Sequence, residues 1–229
     1  MLALAIIPSI ILFIIIWRSD KIEKEPPKLL WKLFGFGALT TISAVILENI
    51  GASILSLIFP EASIIYMIID NFLIVALAEE AGKFFVLKKT TWKNPAFNYT
   101  FDAVVYSVTA SLGFATVENI IYVLDGGFGV AVTRALLSVP GHVIDAIYMG
   151  YYYGLAKHAE AYNDSRLAKK HLKKALFVPV LIHGFYDFCL DTDIGLMYLV
   201  FFIFEIVITI LAIRQTRRLS NIHVEIPSQ

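Results

Sequence analysis

The 229-residue chain reads as all-α, a polytopic membrane bundle of about seven transmembrane helices. Two observations predict it. Hydrophobic residues make up 58% of the chain and the mean hydropathy is +0.73, whereas soluble domains hold roughly 45–50% apolar residues. The basic residues also alternate between successive connections, as they do where cytoplasmic loops collect Lys and Arg. The formal net charge is zero, with no acidic or basic tail, so no nucleic-acid partner is expected. No internal repeat or linker divides the chain, and residues 1–229 read as one membrane-embedded domain with a polar tail from about 214. The single cysteine, Cys189, excludes an internal disulfide.

The first apolar run, residues 2–17, has a signal-peptide look. It lacks a positive leading region and a small-residue cleavage site, and its positive charge follows it, so it reads as a first span with the N-terminus outside. A helix needs about 20 apolar residues to cross about 30 Å of hydrocarbon. Further runs of that kind cover 33–59, 62–87, 101–124, 130–156, 175–190 and 195–213. The sixth is short, and the fifth opens on a poorly defined stretch containing Arg134. Arg18, Lys21, Lys24, Lys28 and Lys32 follow span one, and Lys88, Lys89 and Lys93 follow span three. Lys157, Arg166, Lys169, Lys170, Lys173 and Lys174 follow span five, and Arg214, Arg217 and Arg218 follow span seven. Only Lys83 and Arg134 fall elsewhere, which predicts a cytoplasmic C-terminus. Trp17, Trp31, Trp92, Tyr99 and Tyr151–Tyr153 lie at span ends, as interfacial aromatics do. The run Asp125–Gly129, DGGFG, follows no strand and reads as an outer turn, not a phosphate loop.

Charge inside a span is costly and is kept where it has a partner or a task. The spans hold Glu48, Asp70, Glu79, Glu80, Lys83, Glu118, His142, Asp145, His183, Asp187 and Glu205. Lys83 stands i+4 from Glu79 and i+3 from Glu80, so one helix face carries all three. His183 and Asp187 are also i, i+4, and Phe114 and Glu118 share that spacing. His142 follows Pro140-Gly141, a pair able to open the backbone locally. Spans three to six thus each bring acid, base or imidazole to a shared interior. A carboxylate there can deprotonate a water for attack on a carbonyl, while a histidine or Asn119 stabilises the oxyanion. The same two histidines and carboxylates can instead hold a divalent metal, with His142, His183 and Glu80 as ligands, although no HExxH motif is present. No serine or cysteine stands in a nucleophile elbow. A structural polar network, a non-catalytic scaffold that binds a membrane partner, or a proton- or ion-coupled transporter uses the same inventory, and a transporter of this size more often shows inverted repeats. Glu48 and Glu205 stand alone and read as structural, Asp70-Asn71 as an interhelical contact, and Cys189 as a packing residue. Asp145 either joins the site or orients His142.

The ordered motifs EExxK (Glu79, Glu80, Lys83), SLGFATVENIIY with Phe114 and Glu118, VTRALLSVPGH ending at His142, and HxxxD (His183, Asp187) resemble the PrsW family of intramembrane proteases, which is related to type II CAAX prenyl endopeptidases. The resemblance covers roughly residues 1–215. It implies a multi-pass cell-membrane endopeptidase, a hydrolase of glutamic type with no obligatory cofactor. Its partner would be a single-pass membrane protein in the lipid bilayer, namely an anti-sigma factor. The first (site-1) cut in that protein would begin regulated intramembrane proteolysis in a stress response. Glu79 or Glu80 would be the base, with His142 and His183 polarising water or the oxyanion. Glu118 and Asp187 would complete the cage, and Lys83, Phe114, Asn119 and Asp102 would support it. In the CAAX enzymes a histidine takes the place of Glu118, so no role passes from them to that position. The family's DGxxYG becomes Asp102-Ala103 and Tyr106-Ser107 here, with small residues for both glycines. At about 1.5 Å per residue along straight helices, Glu118, His142 and Asp187 fall towards the outer half of the membrane. Glu79 and Glu80 fall nearer the inner half, and tilt, a broken third helix around Asp70-Asn71 or other span ends would reconcile them.

Overall fold

A computed structural model describes residues 1–227. The chain forms α1 (Leu2–Ser19), α2 (Pro27–Ser56), α3 (Ile64–Ile69), a π-helical turn (Asp70–Val75), α4 (Ala76–Thr91), α5 (Asp102–Leu136), α6 (Ser138–Ala161), α7 (Ser165–Asp191) and α8 (Gly195–Ile222). Among the described residues there is no strand, only an isolated bridge between Tyr99 and Glu225. The stretches Leu2–Ser19, Pro27–Ser56, Asp102–Ala161 and Gly195–Ile222 are long and apolar enough to cross a membrane. α4 and α7 fall short of that standard: α4 is only 16 residues long and carries Glu79, Glu80, Lys83, Lys88 and Lys89, and α7 begins with a basic first half. The helices that bear most polar chemistry are therefore those a hydropathy scale sees least well.

α5 is the axis of the bundle. Every residue from Asp102 to Thr116 is buried, as a helix that is apolar on all sides must be. Close backbone approach makes this packing possible. A Cβ on Gly37 of α2 would collide with the carbonyl oxygen of Ala110, and one on Gly113 of α5 would collide with that of Phe34. Helices in lipid gain little from burying apolar surface against each other, so such small-residue contacts carry the association. On the other side of α5, Ala103 and Ser107 face Gly150 and Gly154 of α6, and Ser107 Oγ donates to the Ala146 carbonyl at 2.6 Å. The smallness missing from the first glycine motif is supplied by the partner helix. Exposed Leu, Ile and Phe side chains on α1, α2 and α8 form the outer surface.

Start signals are local. Pro27 opens α2. Ser63 accepts from Tyr66 N–H at 3.2 Å to cap α3, and Asp164 accepts from Leu167 N–H at 2.9 Å to cap α7. Three expectations change. The helices α2, α6, α7 and α8 extend past the apolar runs because their ends lie in polar surroundings where Lys and Arg are tolerated. The stretch before Ser138 does not begin the fifth span. It is a return segment of α5 beyond a break at Gly127 (φ 76°, ψ −158°), a backbone state open to glycine, so Asp125–Gly129 bends within a helical stretch and forms no free loop. Pro140 lies in the first turn of α6, where a missing N–H costs nothing, so the backbone before His142 stays closed. The polar tail is also more ordered than its composition implies. α8 runs to Ile222, Thr100 N–H donates to the Val224 carbonyl at 2.9 Å, and Ile226 N–H donates to that of Asn98 at 2.7 Å.

Candidate active site

Four elements converge on one buried cluster: α4 with Glu79, Glu80 and Lys83, α5 with Phe114 and Glu118, α6 with His142 and Asp145, and α7 with His183 and Asp187. The π-helical turn sets α4 against α7. A Cβ on Gly184 would stand 2.6 Å from the Phe72 ring and 3.0 Å from the Phe72 Cα, so the glycine next to His183 lets α7 close on this turn. π-Helical turns recur at functional sites because they re-aim the side chains around them. The groups that straight helices place at different depths meet here in one cluster.

Lys83 is the hub. Its ammonium, 1% exposed, donates to Glu79 Oε2 at 3.0 Å, to Glu80 Oε1 at 2.7 Å and to His142 Nδ1 at 3.2 Å, and lies 4.1 Å from the centre of the Phe114 ring. Because an ammonium only donates, His142 Nδ1 accepts, and its Nε2–H donates to Glu118 Oε2 at 2.8 Å. One neutral tautomer of His142 is thus specified. His183 differs. Its Nδ1 faces Glu80 Oε1 at 3.0 Å and its Nε2 faces Asp187 Oδ2 at 3.1 Å, so both nitrogens are placed to donate. The two imidazole rings stand edge to face, 5.5 Å between centres.

A cavity of about 540 Å³ opens beside this cluster and is lined by Glu79, Glu118, His142, Asp145, His183 and Asp187, among others. Glu79 lines it; Glu80, fully buried, does not. Glu80 Oε1 is taken by Lys83 and His183, whereas among the described residues Glu79 has one partner closer than 3.5 Å, Lys83, with His183 at 3.9 Å.

Glu79, Glu80, His142 and His183 each present a donor atom within 4.8 Å of the others, and two imidazoles with carboxylates suit zinc. Carboxylates behind both rings (Glu118 and Asp187) are also what metal-bound histidines use. The obstacle is Lys83, whose fixed positive charge already touches three of the four groups. A divalent ion on the same atoms would sit against that ammonium, and the set as arranged does not fit one.

Of the other expected residues, Phe114 packs edge-on against His142, 5.6 Å between ring centres. Asn119 is not aimed into the cavity: its Nδ2 donates to the Ala5 carbonyl at 3.1 Å and its Oδ1 accepts from Arg134 Nε at 3.0 Å. Asp102 lies at the opposite end of α5, in a separate acidic cluster. Asn71 Nδ2 reaches Asp191 Oδ2 at 3.0 Å, an interhelical contact as expected, while Asp70 and Glu48 line the cavity. Asp145 lines it too, and His142 is oriented by Glu118 and Lys83 instead. Cys189 is buried and free. Sequence reasoning passed over Arg134, whose Nη2 pairs with Glu118 Oε2 at 2.8 Å and whose guanidinium lies 4.0 Å above the Tyr122 ring. The signal was present: Arg134 is the one basic residue that the charge alternation leaves in an outer connection.

Comparison with known proteins gives a consistent picture. The profile described as PrsW family intramembrane metalloprotease matches residues 25–212. Protease PrsW of Oceanobacillus iheyensis is 34% identical over 189 residues, covering 82% of both chains. That of Clostridioides difficile is 34% identical over 82% of this chain and 77% of its own, and that of Bacillus subtilis is 30% identical over 81% and 80%. No solved structure matches.

Proposed function

The chain belongs to the PrsW family of intramembrane proteases and is a multi-pass membrane peptidase, and from that premise we propose that it is an endopeptidase in which Glu79 activates the attacking water. The observation that carries this is the division of labour between adjacent glutamates: Glu79 faces the cavity, and Glu80 is locked between Lys83 and His183. Glu79 takes a proton from water as the oxygen adds to the scissile carbonyl carbon. His183, on the cavity wall with its two N–H groups held by Glu80 and Asp187, stabilises the oxyanion that forms through its positive charge. Glu79 then passes its proton to the departing amine as the C–N bond breaks, which leaves acid and amine products and a restored carboxylate. Lys83 stays a fixed charge that holds both glutamates in place.

The substrate in this reading is a single-pass membrane protein, specifically an anti-sigma factor receiving its first cut. Support comes from the motif resemblance and from a cavity large enough for an extended segment. Seven crossings with an outer N-terminus and a cytoplasmic C-terminus fit the charge distribution.

Co-expression with tagged single-pass anti-sigma factors from the same cell tests the proposal. A shortened fragment with wild type, absent with Glu79→Gln, is the expected result. A fragment with Glu79→Gln that is lost only on chelation, together with stoichiometric metal in the purified protein, would replace the glutamate mechanism with one that uses His142, His183 and Glu80 as ligands.

A further inference from the structure

A second buried cluster lies at the other end of α5, where no part of the peptidase mechanism reaches. Asp20 and Glu25 from the α1–α2 connection and Asp102 from the start of α5 each offer a carboxylate oxygen within 4.8 Å of the others. All three side chains are at least 97% buried. Their hydrogen bonding follows one pattern. In each carboxylate one oxygen is held by an outer partner: Asp20 Oδ1 by His223 Nε2 at 2.9 Å, Glu25 Oε2 by the Tyr106 hydroxyl, and Asp102 Oδ2 by the N–H groups of Asn98 at 3.0 Å and Tyr99 at 2.7 Å. Among the described residues no nitrogen or hydroxyl outside the cluster meets the second oxygen of each, Asp20 Oδ2, Glu25 Oε1 and Asp102 Oδ1, and Glu25 and Asp102 lie close enough to share a proton.

Three unsatisfied carboxylate oxygens in one place cost several kcal/mol unless something positive meets them. The contrast with the Lys83 cluster is direct. Among the described residues no Lys or Arg pairs with these three carboxylates. Nearby Lys24 turns its ammonium to the backbone carbonyls of Trp17 and Asp20, and Lys21 to Asn221. Burial, and after it the charge of Asp102, pushes the Glu25 carboxyl up to about 9. One cluster is centred on a lysine; the other meets only the His223 imidazole, at the far oxygen of Asp20, with its Nδ1 turned to the Ser220 carbonyl at 2.8 Å.

We infer that Asp20, Glu25 and Asp102 form a binding site for a hard divalent cation of the magnesium, manganese or calcium class. Such ions take all-oxygen ligands at about 2.0–2.6 Å, so two oxygens on opposite sides of one stand up to about 5 Å apart, which matches the spacing here. The held oxygens are what orients the free ones, as outer partners do around metal ligands. Through His223 on Asp20 the site also ties in the end of α8, so the cation joins the α1–α2 connection, the head of α5 and the C-terminal segment at one corner.

The test uses full-length protein in detergent, stripped with a chelator and titrated with Mn²⁺, the free ion being read by electron paramagnetic resonance. Wild type and Glu80→Gln should both take up an equivalent that Mg²⁺ or Ca²⁺ displaces. Asp102→Asn and Glu25→Gln should each weaken it by roughly tenfold or more. Added Mg²⁺ or Ca²⁺ should raise the Tm of wild type and leave that of Asp20→Asn unmoved. If these variants do not fold, the comparison of wild type with Glu80→Gln decides. No equivalent that survives Glu80→Gln, or equal uptake by wild type and the Asp102 and Glu25 variants, would mean carboxyls that merely share protons and would overturn the inference.

Discussion

His183 Nδ1 lies 3.0 Å from Glu80 Oε1, a contact that spans 103 residues of sequence and joins α7 to α4 inside the bundle. Glu80 is thereby a positioning group. Its neighbour Glu79 meets His183 only at 3.9 Å, and it borders the cavity.

The two glutamates should therefore fail in different ways. Glu79→Gln keeps its size and removes the base, so cleavage should fall by about 10²–10⁴ with little change in KM. Glu80→Gln leaves the base and loosens His183, so it should cost less in kcat and alter its pH profile. Quantitative cleavage of a reconstituted substrate by both variants checks this, and equal losses at Glu79 and Glu80 with unchanged profiles would contradict the division of roles.

Much of this was legible in the sequence. The i+3 and i+4 spacing of Glu79, Glu80 and Lys83 and of His183 and Asp187 predicts contacts within one helix, and those form at 2.7–3.1 Å. Contacts between helices were less accessible. Whether Glu80 meets His183 depends on the π-helical turn at Asp70–Val75 and the close approach at Gly184, and no periodicity announces an i→i+5 turn in an apolar run. Asn119 looked like an oxyanion donor because polar residues near a carboxylate motif invite that reading. Its amide is spent on α1 and on Arg134, neither of which is near it in sequence.

Lys83 neutralises two buried carboxylates, so its removal should be felt as instability as well as lost activity. Lys83→Met leaves Glu79 and Glu80 with only His183 beside them, and breaking a buried pair in this way costs about 3–5 kcal/mol. A marked drop in Tm is expected, partly recovered in the Lys83→Met/Glu80→Gln double variant. Unchanged Tm in Lys83→Met would mean that the ammonium is not the hub of the network.

Arg134 holds Glu118 from the return segment of α5, and Glu118 holds His142 Nε2–H. Arg134→Gln should keep the fold, since the side chain is partly exposed, and should slow cleavage by roughly tenfold or more through a less well oriented His142. The informative readout is the imidazole tautomer by nitrogen-15 NMR, which should lose its single form in the variant. A sharp, unaltered His142 signal would count against this chain of contacts.

Gly184 gives the most direct test of the geometry that joins α7 to the π-helical turn. A Cβ there would meet the Phe72 ring at 2.6 Å and its backbone at 3.0 Å, so Gly184→Ala must push α7 outward by some tenths of an ångström. His183 would move with it, away from Glu80. A misplacement approaching 1 Å can cost 10²-fold in rate, so activity should fall steeply while membrane insertion and Mn²⁺ uptake at the distant Asp20–Glu25–Asp102 cluster stay as in wild type. Phe72→Ala removes the nearer obstacle, the ring, and leaves only the tight approach to the Phe72 backbone. The Phe72→Ala/Gly184→Ala double variant should therefore regain part of the rate that Gly184→Ala loses. A double variant no better than the single one would show that the spacing between these two elements does not set the catalytic geometry.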